Sequence, residues 1–171
     1  MAGFVVSSPV LEASQVQLDA ASGQLTTVYV SPNKLAQSPV YGRKYYQLVV
    51  VPFDTDVSVG DGKHYFYLPD SLVGSKLAEV SAAVATAGVT GTMTVQVNNT
   101  NEGVNMLSTA LTIDTGELTT GTAATPPVID TVFDHRTVAA GWIIRIDIDA
   151  IHTTAAKGLI VNLGFSITEG E

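Results

Sequence analysis

Ile144-Arg145-Ile146-Asp147-Ile148-Asp149 alternates apolar and charged side chains with a strict period of two. On an extended chain that puts three isoleucines on one face and three charges on the other, whereas a helix would scatter both sets around its axis. The segment reads as a β-strand whose wet face carries Arg145, Asp147 and Asp149. Toward the C-terminus, Leu159, Val161, Leu163, Phe165 and Ile167 repeat the pattern, and toward the N-terminus Met93, Val95 and Val97 alternate with Thr94, Gln96 and Asn98. Two β-branched and aromatic runs complete the set: Tyr45-Tyr46-Gln47-Leu48-Val49-Val50-Val51, closed by Pro52, and Lys63-His64-Tyr65-Phe66-Tyr67-Leu68, closed by Pro69. Gly60-Asp61-Gly62, Gly88-Val89-Thr90-Gly91, Asn98-Asn99-Thr100-Asn101 and Pro126-Pro127 punctuate the runs at the spacing of a sandwich or a barrel.

One segment fits two periods. Between Ser75 and Gly88, Leu77, Val80 and Val84 have helical spacing, while Ala78, Val80, Ala82 and Val84 alternate. The strand reading is preferred, because Gly88–Gly91 leads straight into the alternating run Thr92–Asn98 as a hairpin would.

Residues 1–43 differ from this body. Turn residues at Ser7-Ser8-Pro9, Ser22-Gly23, Ser31-Pro32-Asn33 and Ser38-Pro39 interrupt them every few positions, which reads as an extended arm joined to a body over 44–171. Thr26-Thr27-Val28-Tyr29-Val30 is a short strand-like piece able to pair with a partner surface, and the alternatives for the arm are a disordered N-terminus or an edge strand folding back on the body. Charge divides the same way: Glu12 and Asp19 against Lys34, Arg43 and Lys44 give residues 1–47 a net +1, so the rest of a chain of net −8 carries −9.

Composition bounds the function. With 171 residues, 46% hydrophobic and 14% charged, the chain can bury one sizeable core without staples. It has no cysteine, which removes thiolate catalysis, Cys-ligated zinc, iron–sulfur clusters and disulfides. Its acidity argues against nucleic acid as a partner. No apolar run reaches the ~20 residues of a membrane span, and the start lacks a signal peptide's basic and long apolar regions, so a soluble protein without a membrane partner is expected.

The search for chemistry leaves little. No nucleophile elbow, phosphate loop, dinucleotide fingerprint or His-Glu-x-x-His pair occurs, and His64, His135 and His152 are scattered. Asp54-x-Asp56 before Gly60-Asp61-Gly62 has the oxygens for calcium but fails as an EF-hand, with Val59 in place of the sixth-position glycine and Tyr65 in place of the bidentate acid. Asp147 and Asp149 are spaced like a glycosidase pair only if a cleft lies between them, and Arg145 on the same face is placed to neutralise them. Trp142 and the tyrosines Tyr41, Tyr45, Tyr46, Tyr65 and Tyr67 suit a core, an interface or sugar stacking. The expectation is no catalytic residue, no cofactor and no metal.

The body from about 45 to 168 resembles a β-sandwich module of tailed-bacteriophage virion proteins. The resemblance is carried in order by Tyr65-Phe66-Tyr67-Leu68-Pro69-Asp70-Ser71-Leu72, Gly91-Thr92-Met93-Thr94-Val95-Gln96-Val97, Met106-Leu107-Ser108-Thr109, Ile113-Asp114-Thr115-Gly116-Glu117, Val128-Ile129-Asp130, Ile144–Ala150 and Lys157–Phe165. Such modules serve capsid decoration proteins, head fibres and tail fibres, usually as trimers. The resemblance therefore implies a jelly-roll-like antiparallel β-sandwich preceded by an extended N-terminal arm, and a homotrimer. The chain has no heptads or collagen-like shaft, and a short, complete protein with a slightly positive arm on an acidic body suits the outer surface of the capsid. The expected function is a capsid decoration (cement) protein whose arm holds the major capsid protein through Phe4, Val5, Val6, Tyr29, Tyr41, Arg43 and Lys44. The rivals are a tail fibre or tail-tip receptor-binding protein, which needs an exposed aromatic or polar pocket, and a depolymerase, which needs paired carboxylates in a cleft.

Overall fold

The computed structural model describes residues 43–167. The arm up to residue 42, with Phe4, Val5, Val6, Tyr29 and Tyr41, lies outside them. Two antiparallel sheets face one another. β1 (Arg43–Asp56), β10 (Lys157–Ile167) and β3 (Ser75–Ala83) form one in the order β1-β10-β3. The other runs β2 (Gly60–Tyr67), β9 (Ile143–Ala150), β4 (Met93–Asn99), with β5 (Val104–Asn105) and β7 (Leu111–Ile113) on the far side of β4. A small ribbon joins β6 (Leu107–Thr109) to β8 (Val128–Ile129), and one helical turn, α1 (Phe133–Arg136), follows. Successive strands β1 to β4 alternate between the sheets, β10 then enters between β1 and β3, and β9 between β2 and β4. This interleaving is that of a jelly-roll-like sandwich.

The alternation explains the core. Ile144, Ile146 and Ile148 of β9 are fully buried, as are Met93, Val95 and Val97 beside them and Leu159, Val161, Leu163 and Phe165 opposite. Each such side chain contributes about 1.5–3 kcal/mol of burial, so this one layer holds the sheets together. The Tyr46 ring packs against Phe66, tilted by 47° with centroids 5.0 Å apart, tying β1 to β2 across it.

Ser75–Ala83 is a strand, as the alternating reading expects. It makes no hairpin with β4, however, for the two lie in different sheets. The connection instead crosses the sandwich, with Val89 bridging Thr154, Thr90 forced to φ +62° and Gly91 at +96°. β1 does not stop at Pro52 but runs on to Asp56. As an edge strand it tolerates a residue without an N–H, and its ladder is already irregular between Val49 and Val51. Gly60-Asp61-Gly62, expected as a turn, forms the irregular start of β2, where Gly60 pairs with Ile148 but the next pair is His64 with Ile146.

Candidate functional site

The outer face of the larger sheet carries the densest polar arrangement. Pairing sets one row across four strands: Tyr65 of β2 beside Arg145 of β9, then Asn98 of β4, then Asn105 of β5. Asn98 Nδ2 donates to Asn105 Oδ1 at 3.1 Å. Two residues along β9, Asp147 Oδ2 accepts from Arg145 Nε at 3.0 Å and Nη2 at 2.7 Å, and Asp147 Oδ1 accepts from the Gly62 amide at 2.7 Å.

Asp147 was expected on a wet face, and here the structure corrects the reading. The residue is only 5% exposed. The three residues between Gly60 and His64 swing the start of β2 over the carboxylate. Gly62 sits at φ +66°, and a Cβ there would lie 2.3 Å from the Tyr65 hydroxyl, so only glycine lets the tyrosine lie over that corner. Gln96, also expected wet, is buried because its amide fills the break between β5 and β7, donating to Leu107 O and accepting from Val97 N. The Gly-Asp-Gly run was the available signal for the bulge, and turn chemistry hid it.

The electrostatics follow from this geometry. The Arg145 guanidinium is held more firmly charged, chiefly by its hydrogen bonds to Asp147 and against the cost of burial. Asp149 is exposed, yet its carboxyl is pushed above the ordinary range, first by partial loss of water and then by the charges of Asp147 and Asp61. Asp147, locked to Arg145, is thereby committed to an ion pair.

Elsewhere the predicted groups are apart. Asp56 lies 3.8 Å from Lys157, and Asp61 lies 4.0 Å from Arg145. No set of three metal-ligating side chains converges among the described residues. His64 lies on β2; His135 Nδ1 meets Asp130 Oδ2 at 2.9 Å; His152 is a core residue packed so closely on Gly88 that a Cβ there would sit 2.2 Å from its Nδ1. Arg43 and Lys44, the two expected capsid contacts among the described residues, both have partners in the body. Arg43 pairs with Glu79 at 2.8 Å, and Lys44 donates to the Ser71 carbonyl.

Six of the eleven exposed large apolar side chains among the described residues lie on β1, β2 and the turn between them, and the other five, Val73, Val89, Leu118, Val128 and Val132, are spread over the rest of the body. Tyr45, Val49 and Phe53 stand out from β1, Tyr65 and Tyr67 from β2, and Val59 between them. Among the described residues β1 and β2 are edge strands of their two sheets. No protein family, curated protein or solved structure matches the chain.

Proposed function

We propose that this chain is a structural virion protein of a tailed phage, a decoration protein that binds the major capsid protein on the outer capsid surface through its N-terminal arm and reinforces the shell as a homotrimer. The observation that carries the reading is the apolar character of two neighbouring strands: β1, β2 and the turn between them present six of the eleven exposed large apolar side chains among the described residues, including all three exposed tyrosines and the exposed Phe53. That is the surface of a protein made to associate with protein. The resemblance of residues 45–168 to phage virion modules supplies the setting. On this reading the chain needs no cofactor, metal or catalytic residue, and binds neither nucleic acid nor membrane.

One observation favours a second reading. The row Tyr65, Arg145, Asn98, Asn105 places an aromatic ring beside planar hydrogen-bonding groups, as a tail-tip receptor-binding protein would use on a host surface. Antibody labelling of purified particles in the electron microscope separates the two: label on heads is expected, and label confined to tail tips would transfer the protein to the second class. Deleting residues 1–40 should leave a folded body that no longer coats capsids. Full occupancy by the truncated protein would overturn the attachment role.

A further inference from the structure

Edge strands expose unpaired N–H and C=O groups, and native sheets blunt them with charge, proline, bulges or a covering segment. The edges of this sandwich can be compared on that basis. β2 carries Asp61, Lys63 and the irregular stretch between Gly60 and His64. The outer side of β3 is bridged by Thr137 at Lys76 and by Thr119 at Ala83. β5 and β7 are two and three residues long. The far end of β1 has Pro52, Asp54 and Asp56. That leaves Tyr45-Tyr46-Gln47-Leu48-Val49-Val50-Val51, which among the described residues pairs with β10 alone and has neither charge nor proline. Seven residues of high β-propensity without charge are the composition of an aggregating segment. Leu48 and Val50, on its inner face, keep 6% and 8% of their surface where the central strands keep almost none, so the core rim is open there too.

We infer that this edge is covered by the chain's own residues 25–30, added as an antiparallel strand alongside β1. Three observations select this occupant. The 42 residues preceding the described structure lead directly into Arg43, the first residue of β1. Leu25-Thr26-Thr27-Val28-Tyr29-Val30 matches the bare window in kind, with β-branched and aromatic residues and no charge. At about 3.3 Å per residue the two segments span about 20 and 23 Å. In an antiparallel pair Val30 lies near the start of β1, so residues 31–42 have only to turn round, with Ser31-Pro32-Asn33 and Ser38-Pro39 as turn signals. The added strand completes the ladder of β1 and sets its outward side chains beside Tyr45 and Val49. Tyr29 then serves the body, and the shell-binding part of the arm shortens to its first two dozen residues. This inference concerns the isolated protein and does not rest on the capsid reading.

The absence of cysteine makes a clean test possible. Val49→Cys, on an exposed side chain, is combined in turn with a cysteine at each of positions 26 to 30 in the full-length protein, and oxidised. Strand addition demands intramolecular cross-links at alternate positions, with yields falling several-fold at the positions between, because neighbouring side chains point to opposite faces. Equal yields at all five positions, cross-links between copies, or none would overturn it. Hydrogen exchange on the unaltered chain gives an independent reading: amides in 25–30 should exchange at least roughly tenfold slower than an unstructured chain. Exchange at the unstructured rate would overturn the inference even if every cysteine variant misfolded.

Discussion

Two aspartates spaced two apart on one strand have acquired different roles. Asp147, itself buried, accepts three hydrogen bonds, one from the Gly62 amide and two from Arg145, while Asp149 stands exposed. Asp147→Asn removes the charge opposite Arg145 and leaves Asp61, at 4.0 Å, as that guanidinium's nearest acid. It should cost about 1–3 kcal/mol in urea unfolding. Asp149→Asn should stay within about 0.5 kcal/mol. Equal effects would show that the burial of Asp147 carries no energetic weight. Acid stability divides the same way. Asp114 lies below the ordinary carboxylate range, chiefly through the Ala124 amide and then the Thr92 hydroxyl, and Asp130 chiefly through His135 and then the Val132 amide. Groups lowered on folding contribute stability that is complete above the unfolded value of about 3.9 and is lost as pH falls through the folded one. Asp149, raised, acts with the opposite sign, its contribution fading as pH climbs through its folded value. Urea midpoints measured from about pH 5 to about pH 2 should therefore fall less steeply in Asp114→Asn/Asp130→Asn than in the parent. Parallel curves would remove these two carboxylates from the acid transition.

At the scale of the element, strands were legible wherever one face is buried, because burial writes a period of two into the sequence. β9 and β10 are the clearest cases. What the period does not encode is which strands are neighbours. Ser75–Ala83 and Met93–Asn99 follow one another with a turn-rich link, yet β3 and β4 lie in opposite sheets, since the link's conformation at Thr90 and its contacts with Thr153 and Thr154 decide the crossing. The burial of Asp147 was illegible for a related reason: its cover comes from β2, more than eighty residues earlier. Close strand packing also fixes single residues. Gly164 of β10 lies under the Tyr45 ring, and a Cβ there would approach Tyr45 Cε1 at 2.9 Å and Glu79 Cβ at 3.0 Å. Tyr45 in turn donates its hydroxyl to Glu79 Oε2 at 3.0 Å. Gly164→Ala should therefore destabilise by about 1–3 kcal/mol. In a Tyr45→Ala background the penalty should shrink, because the ring that must move is gone. A double-mutant cycle on thermal or urea unfolding reads the coupling, and strict additivity would mean that the ring gives way freely.

The whole molecule joins an acidic body to two apolar edge strands, and the two features assign different work to its parts. If residues 25–30 close β1 over Tyr45–Val51, the large apolar side chains left along these edges are Phe53 at the far end of β1 and Val59, Tyr65 and Tyr67, the two tyrosines at 60% and 63% exposure. Cyclic symmetry buries such a strip once per subunit, and three copies is the assembly proposed above. The purified protein should sediment as a trimer at micromolar concentration. Tyr65→Ser/Tyr67→Ser should shift it toward monomer without unfolding it, since neither ring belongs to the core. The Asn98 and Asn105 amides, farther along the same outer face on β4 and β5, give a control: Asn98→Ala/Asn105→Ala should leave the trimer intact. A protein that sediments as a strict monomer at high concentration would overturn the trimer, whereas a trimer indifferent to both tyrosines would place the interface elsewhere and leave the β2 edge free for a ligand on the outer face. That second outcome would strengthen the receptor-binding reading, because Tyr65 is the aromatic end of the polar row that Arg145, Asn98 and Asn105 continue.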